Sequence, residues 1–320
     1  MNRRRFLAGA IGGTVALTAP AAGRAAAAPG ALTFASAIGT AGLITQVVRR
    51  LELDKKYDLR VDFKLLDPAA AEKAVLLKQT DAGIFPVVTA ADVNLKGQPV
   101  VVFAPMLYMH TFVVVWRDSP YQTLGDLKGR RIGLLDKVSG VYRGIQIVAA
   151  RGGLDFERDF QPVTGPPPAL VTFLQRRQVD ALVIHEPMAS KLVAEDKFRV
   201  IMGLNDEWRK ARIQNWLFVG AAAHREWLTQ NRAIARRCAD ALLEASRAIN
   251  LNPDLVEAEA EFLGLKTRTE IDLARQRIPP FLPTEWNDAM AAGAMEAVRE
   301  AVRLGQIAKV PDEAFVTVLR

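Results

Sequence analysis

Cysteine is almost absent from this chain: Cys238 is the single one in 320 residues, which excludes an intramolecular disulfide. Histidine is scarce as well. His110, His185 and His224 are widely separated, and neither a CxxC nor an HExxH spacing occurs, so no metal centre is written into the local sequence. A GxGxxG phrase is missing too, because Gly39 and Gly42 lack the earlier glycine, and dinucleotide chemistry falls away with it. Beyond residue 30 there is no internal repeat, no low-complexity tract and no linker rich in glycine and serine. Nor is a membrane anchor expected. A spanning helix needs about 20 strongly apolar residues, and the stretch from Phe6 to Ala22 is shorter, diluted with glycine, alanine and threonine, and interrupted by Pro20.

That stretch has a different meaning. Met1 to Gly30 holds no acidic residue but carries Arg3, Arg4, Arg5 and Arg24. A charged start, a mildly apolar segment and the small residues Ala25, Ala26, Ala27 and Ala28 follow in the order of an export signal. Cleavage is expected after Ala26, Ala27 or Ala28, making residues 1–28 a signal peptide. Arg3-Arg4-Arg5-Phe6-Leu7 also resembles the twin-arginine (Tat) signal, the route by which folded proteins cross the bacterial inner membrane. No cysteine stands at the cleavage point to carry a lipid, so the mature form is expected free in the periplasm and not membrane-embedded.

Removing the signal takes four arginines with it, and a balance of 42 basic against 35 acidic residues, a formal +7, becomes 38 against 35, or +3. The remaining charges are mixed with no basic stripe, which argues against nucleic acid as a partner. A mature chain of about 290 residues suits two domains of ordinary size. Cys238 lies in NRAIARRCADALLEASRAI, where apolar residues recur at helical spacing, and reads as small core filler.

Along the chain the hydrophobic period alternates. Residues 31–37 read as a strand, after which Leu43, Ile44, Val47, Val48 and Leu51 are spaced for one buried helix face. Residues 57–65 alternate as a strand, Pro68 opens a helix at its first turn, and residues 81–85 form a third strand. A helix over Thr89 to Leu95 and a strand, PVVVFAPM, complete the first unit. The second begins with the apolar strand from His110 and continues RRIGLLD (strand), SGVYRGIQIVAARGG (helix), 160–163 (strand) and PPPALVTFLQRRQ (helix). Then come 179–184 (strand), MASKLVAEDK (helix), FRVIMG (strand) and a return strand over 213–220. Helices are predicted over 225–249, 253–264, 268–276, 283–304 and 311–318. Strands alternating with helices of this length imply two α/β units with largely parallel sheets.

Several phrases carry a family resemblance. LGDLKGRRIGLLDKVSG (124–140) resembles a phrase common to solute-binding proteins of ABC importers in the nitrate, taurine, aliphatic sulfonate and thiamine-precursor group. Gln79-Thr80-Asp81-Ala82-Gly83 and Gln178-Val179-Asp180-Ala181 are similar to that group's paired G-x-x-D-A segments, one per lobe, with glutamine or threonine where glycine is commoner. Glu186-Pro187 matches the E-P that follows the second. The resemblance runs from about Leu32 to Gly305, and its specificity lies in the order of the phrases. It implies a type II periplasmic binding protein: two α/β lobes joined by a strand hinge, with a C-terminal helical region packed back on the first lobe. Lobe I would comprise 29–113 and 217–320, and lobe II 114–216. The implied function is capture of a small organic solute of sulfonate, carboxylate or heteroaromatic (pyrimidine) type for an inner-membrane ABC permease, by a monomer needing no cofactor and catalysing nothing. Two rivals stand beside it. One is an enzyme of thiamine-pyrimidine synthesis on the same fold, with His110 or His185 and Glu186 as acid and base; the other is a ligand-loaded partner of a membrane sensor.

In open parallel sheets ligands sit beyond the carboxyl ends of strands, which nominates four loops. Gly39 and Thr40 follow the first strand, where free helix N–H groups would meet an anion or a carbonyl, or Thr40 simply caps the helix. Phe85 would offer an apolar wall or pack in the core. Lys137, Ser139, Gly140, Tyr142 and Arg143 follow the RIGLL strand. There Ser139 caps or binds, Tyr142 stacks or donates, and Arg143 suits a planar acid group better than Lys137, unless either is only a surface charge. Glu186 faces a ligand N–H or caps the MASKL helix. Tyr108, His110 and Trp216 lie at the lobe crossings, lining the cleft or packing the hinge.

Overall fold

Strands buried on both faces need apolar residues without alternation, which is why VVVFAPMLY and TFVVVW are continuous apolar runs. The computed structural model describes residues 30–319 other than Ile213, and the signal peptide expected over 1–28 lies outside the described residues. The first unit runs β1 (Gly30–Ala37), α1 (Thr40–Arg50), α2 (Leu53–Lys56), β2 (Leu59–Leu66), α3 (Pro68–Leu76), β3 (Ala82–Pro86), α4 (Val87–Leu95) and β4 (Val100–Tyr108). The second holds β5 (Thr111–Trp116), β6 (Arg131–Leu134), α5 (Gly140–Arg151), α6 (Phe156–Asp159), β7 (Gln161–Thr164), α7 (Pro167–Gln175), β8 (Ala181–His185), α8 (Met188–Ala194), β9 (Phe198–Gly203) and α9 (Leu204–Arg209). The chain then returns through β10 (Leu217–His224) and ends in α10 (Arg225–Gln230), α11 (Arg232–Leu251), α12 (Asp254–Ala258), α13 (Arg268–Arg277) and α14 (Asp288–Arg303).

Two five-stranded sheets result, in the orders β2-β1-β3-β10-β4 and β7-β6-β8-β5-β9. They repeat one plan. In each, three strands run parallel and the fourth place is taken by an antiparallel strand that has just crossed from the other lobe: β10 against β3 and β4, β5 against β8 and β9. The architecture is that of a type II periplasmic binding protein, two α/β lobes with C-terminal helices, joined where β4 passes into β5 and β9 passes through α9 into β10. The paired D-A phrases have a matching structural task. Asp81 accepts bonds from the Thr33 amide (2.7 Å) and hydroxyl (2.8 Å) on β1, and Asp180 accepts one from the Arg131 amide (3.0 Å) at the start of β6. Each carboxylate thus sets the register of its own central strand pair.

The C-terminal region differs from expectation in its details. The helix predicted over 311–318 is instead extended: Val316 bridges Val102 in parallel, with the Val102 amide bonded to the Phe315 carbonyl (2.8 Å) and the Thr317 amide to the Val102 carbonyl (2.9 Å). β4 is an edge strand, and edges that would template aggregation are covered by whatever chain lies near. The helix predicted over 225–249 breaks at Asn231, the return strand starts only at Leu217, and of 253–264 only Asp254–Ala258 is α-helical. α13 opens with a reciprocal cap, Thr267 with Glu270, which fixes its start. Cys238 is 2% exposed on α11, and burial pushes its thiol up to about 12, as core filler should behave. Among the described residues no helix is long and apolar enough to cross a membrane.

Candidate ligand site between the lobes

The strand orders place a topological switch between β1 and β3 in one lobe and between β6 and β8 in the other, the positions where open α/β sheets bind ligands. All four nominated loops sit at these strand ends. From lobe I, Gly39 precedes α1 at φ +98°, a conformation that side chains disfavour, and so delivers Thr40 to the interface. The Thr40 hydroxyl donates to the Glu186 carbonyl of lobe II at 2.9 Å, so the two lobes touch directly. From lobe II, Ser139 caps α5 by accepting the Tyr142 amide at 3.2 Å. Gly140 lies so close to Phe218 of β10 that a Cβ there would stand 2.3 Å from the ring, a second closed seam.

A narrow cavity, with only about 10 Å³ of free volume in this closed arrangement, lies between the seams and the hinge, bounded by Pro86, Met109, Gly140, Arg143, Trp216 and Phe218 among others. Its wall is mostly apolar, with Arg143 the one charged residue and Thr89 beside it in the lining. The Arg143 Nη2 sits 3.6 Å from Asp92 of α4, across the lobes, while Nη1 is buried with no acceptor. Other arginines, Arg275 and Arg277 among them, also bury a guanidinium nitrogen without an acceptor; what sets Arg143 apart is its place in the cavity wall. Trp216 is 2% exposed, stacked 4.8 Å from Trp208, with its amide donated to Asn205 (2.9 Å).

Other nominated residues fall elsewhere. Phe85 is fully buried within the lobe I core, and its neighbour Pro86 supplies the cavity wall. Strand alternation turns the two to different surroundings. Tyr142 points away from the cavity into lobe II, its hydroxyl donating to Glu157 at 2.5 Å and its ring meeting Phe156. Lys137 is exposed and pairs with the same Glu157 at 3.0 Å. Glu186 is fully buried, and both its oxygens are engaged: Oε1 by Arg277 Nε at 2.6 Å, Oε2 by the Ser190 amide at 3.0 Å in the first turn of α8. Neither Arg143 nor Lys137 is its partner, and the peptide to Pro187 is cis.

Beneath this junction lie His110 and His185, their rings 5.3 Å apart. Burial lowers both imidazoles, His110 to about 3 with His185 adding to the effect, so both stay neutral. His185 Nδ1 bonds to the Glu186 carbonyl (2.9 Å) and His110 Nδ1 to that of Tyr108 (3.2 Å), with Phe218 and Phe281 around them.

Three residues that local reasoning missed come forward. Arg277 at the end of α13 holds Glu186, Asp92 on α4 holds Arg143, and Glu72 on α3 is half-buried with its carboxyl raised to about 7 by burial, against the opposing pull of Arg143. None sits in a motif. A buried carboxylate demands a cation, but nothing near Glu186 in sequence says which.

The family described as periplasmic substrate-binding proteins of phosphonate ABC transporters matches residues 50–264, well over half of the chain. No curated protein matches the sequence. Among solved structures, the periplasmic aliphatic sulphonate binding protein SsuA from Escherichia coli superposes with a TM-score of 0.72 at 20% identity, covering 88% of this chain and 90% of that one. The alkanesulfonate-binding protein SsuA from Xanthomonas axonopodis pv. citri, bound to MOPS, gives 0.71 at 17% identity, with 92% and 100% covered. A Candida albicans protein with the generic periplasmic binding protein fold gives 0.66 at 15%, with 91% and 97% covered. At such identities the likeness is one of fold.

Proposed function

This chain belongs to the family of periplasmic substrate-binding proteins of phosphonate ABC transporters, and on that premise we propose that its interlobe cavity captures an organic phosphonate or sulfonate through Arg143. The protein is the non-catalytic solute-binding component of an ABC importer, working in the periplasm with a cognate permease. The observation that carries the choice of ligand is the Arg143 guanidinium: charged, in the cavity wall, with one nitrogen buried and without an acceptor. A tetrahedral acid group supplies the oxygens such a fork wants, and desolvation strengthens the bond.

Around it, Gly39 and Thr40 from α1 and Ser139 and Gly140 from α5 bring two helix N-termini to the closing faces. Helix N-termini favour negative charge. Trp216 and Phe218 give an apolar surface for the solute's carbon skeleton. Glu186 serves by holding Arg277 and by lending its carbonyl to Thr40, not by meeting the ligand. Solute in the cleft favours the closed arrangement, and opening about the β4–β5 and β9–β10 connections releases it to the permease. Export of a folded monomer through the Tat route, with the signal cleaved near Ala28, completes the reading; changing Arg3 and Arg4 to lysine should then retain the protein in the cytoplasm.

The test is calorimetry with alkylphosphonates and alkanesulfonates on the wild type and on Arg143→Gln. Loss of about tenfold or more in affinity is expected. Unchanged affinity in the variant would remove Arg143 from the site.

A further inference from the structure

A second cavity, sharing no lining residue with the interlobe one, holds about 350 Å³ of free volume, which is room for a small organic molecule. It lies where α7 and α8 of lobe II meet the turn that leads into α13, and Val171, Met188 and Leu192 give it an apolar floor. Four charged side chains also line it, and their partners divide them. Both acids are engaged: Glu195 accepts from Gln175 Nε2 (3.1 and 3.4 Å), and Glu270 accepts the amides of Lys266 and Thr267 as half of the reciprocal cap on α13. Both cations are free. Among the described residues neither the Lys191 nor the Lys266 ammonium has a hydrogen bond or an ion pair. Lys191 is half-buried, and its Nζ reaches over Gly264, to 2.9 Å from where a Cβ would stand. Burial pushes this ammonium below its ordinary range, with Glu270 opposing the shift and Lys266 adding to it.

We infer that this cavity is a second ligand site, for an organic monoanion with a short alkyl chain, its acid group between Lys191 and Lys266 and its chain on Val171, Met188 and Leu192. The chemistry of the lining sets both halves of that ligand. A neutral alcohol would cover the apolar floor but leave a half-buried ammonium without an acceptor, and an inorganic ion would do the reverse. The carboxylates of Glu195 and Glu270 in the same wall offset the two lysines, so a single negative charge is favoured over the double charge of a phosphate. The walls belong to separate parts of the fold, α7 and α8 on one side and the turn before α13 on the other. An occupant would therefore tie α13 to α8 at the junction that the Glu186–Arg277 pair also spans.

Calorimetry with octanoate tests this, with 1-octanol and inorganic phosphate as the two half-ligands, on the wild type, Lys191→Met, Lys266→Met and Arg143→Gln. Octanoate should bind the wild type about tenfold or more tightly than either half-ligand. Its affinity should fall about tenfold in Lys191→Met and about threefold in Lys266→Met, whose ammonium is the more exposed, and should stay within about twofold in Arg143→Gln. Methionine keeps the apolar stem of Lys191 and removes a half-buried charge, so the variant should melt no lower than the wild type, and Lys266→Met, at an exposed position, repeats the test without touching the helix. Failure of octanoate to bind the wild type, affinity unchanged in both lysine variants, or binding of either half-ligand as tight as that of octanoate overturns the inference. Loss of octanoate binding in Arg143→Gln alone also overturns it, by placing the acid in the interlobe cavity. None of these results bears on capture of a phosphonate or sulfonate by Arg143, which is read from its own titration.

Discussion

The contact most exposed to experiment is the ion pair between Glu186 and Arg277. Glu186 is fully buried, Arg277 Nε lies 2.6 Å from its Oε1, and the guanidinium packs 4.5 Å over the Phe112 ring. Replacing Arg277 by methionine keeps most of the apolar stem but leaves the carboxylate with only the Ser190 amide. Removing one partner from a buried pair costs about 3–5 kcal/mol, because the other charge stays behind undischarged. The Arg277 side chain retains 23% of its exposure, so water shares some of its charge and the low end applies. For a chain of this length about 3 kcal/mol corresponds to a fall in Tm of roughly 6–12 °C. Thermal unfolding at neutral pH, followed by circular dichroism, reads it directly. The double variant Glu186→Gln with Arg277→Met removes the stranded charge and should recover more than half of the loss. If Arg277→Met melts within about 2 °C of the wild type, or the double variant is worse than the single, the pair is not a buried charge couple and its assignment as the brace between α13 and lobe II fails.

Other consequences can be measured independently. Thr40→Ala removes the 2.9 Å bond between lobes, a contribution of about 1 kcal/mol confined to the closed form, so ligand affinity should fall several-fold while the ligand-free Tm barely moves. The Glu72 carboxyl stands at about 7 when folded, above its unfolded value, so the stability tied to its proton is complete at acidic pH and is lost as pH rises through 7. Glu72→Gln should therefore match the wild type in Tm near pH 4.5 and exceed it above pH 7; a gap independent of pH would refute the burial argument. Cys238, with its thiol raised to about 12, should resist iodoacetamide at pH 8 in the folded protein and react on unfolding, and prompt labelling of the native protein would contradict its burial.

Most of the architecture was legible before any coordinates. Continuous apolar runs marked the doubly buried strands, Pro68 and Ser139 marked helix starts, and the alternation of elements required parallel sheets. Where the expectation failed, the cause was tertiary: residues 311–318 have enough helical character for a local reading, but β4 had an unpaired edge, and pairing with it outweighed a short isolated helix. The binding loops were legible through topology, since strand ends at switch points are where backbone N–H groups come free. Individual side chains were less so. Phe85 and Pro86 are neighbours in the chain, and only strand alternation within the folded sheet decides which meets the cavity.

By itself, the sequence determined that this is a two-unit α/β protein without disulfides, without a dinucleotide fold and of a recognisable binding-protein lineage. Those conclusions depend on composition, period and phrase order, which are local or additive properties of the chain. Tertiary structure alone decided the charge pairing: Glu186 with Arg277 and Arg143 with Asp92. Those partners come from different lobes or from the C-terminal helices, tens of residues apart in the chain. Electrostatic pairing depends on distance in space and on burial, and neither is encoded in sequence spacing once two lobes have closed on each other.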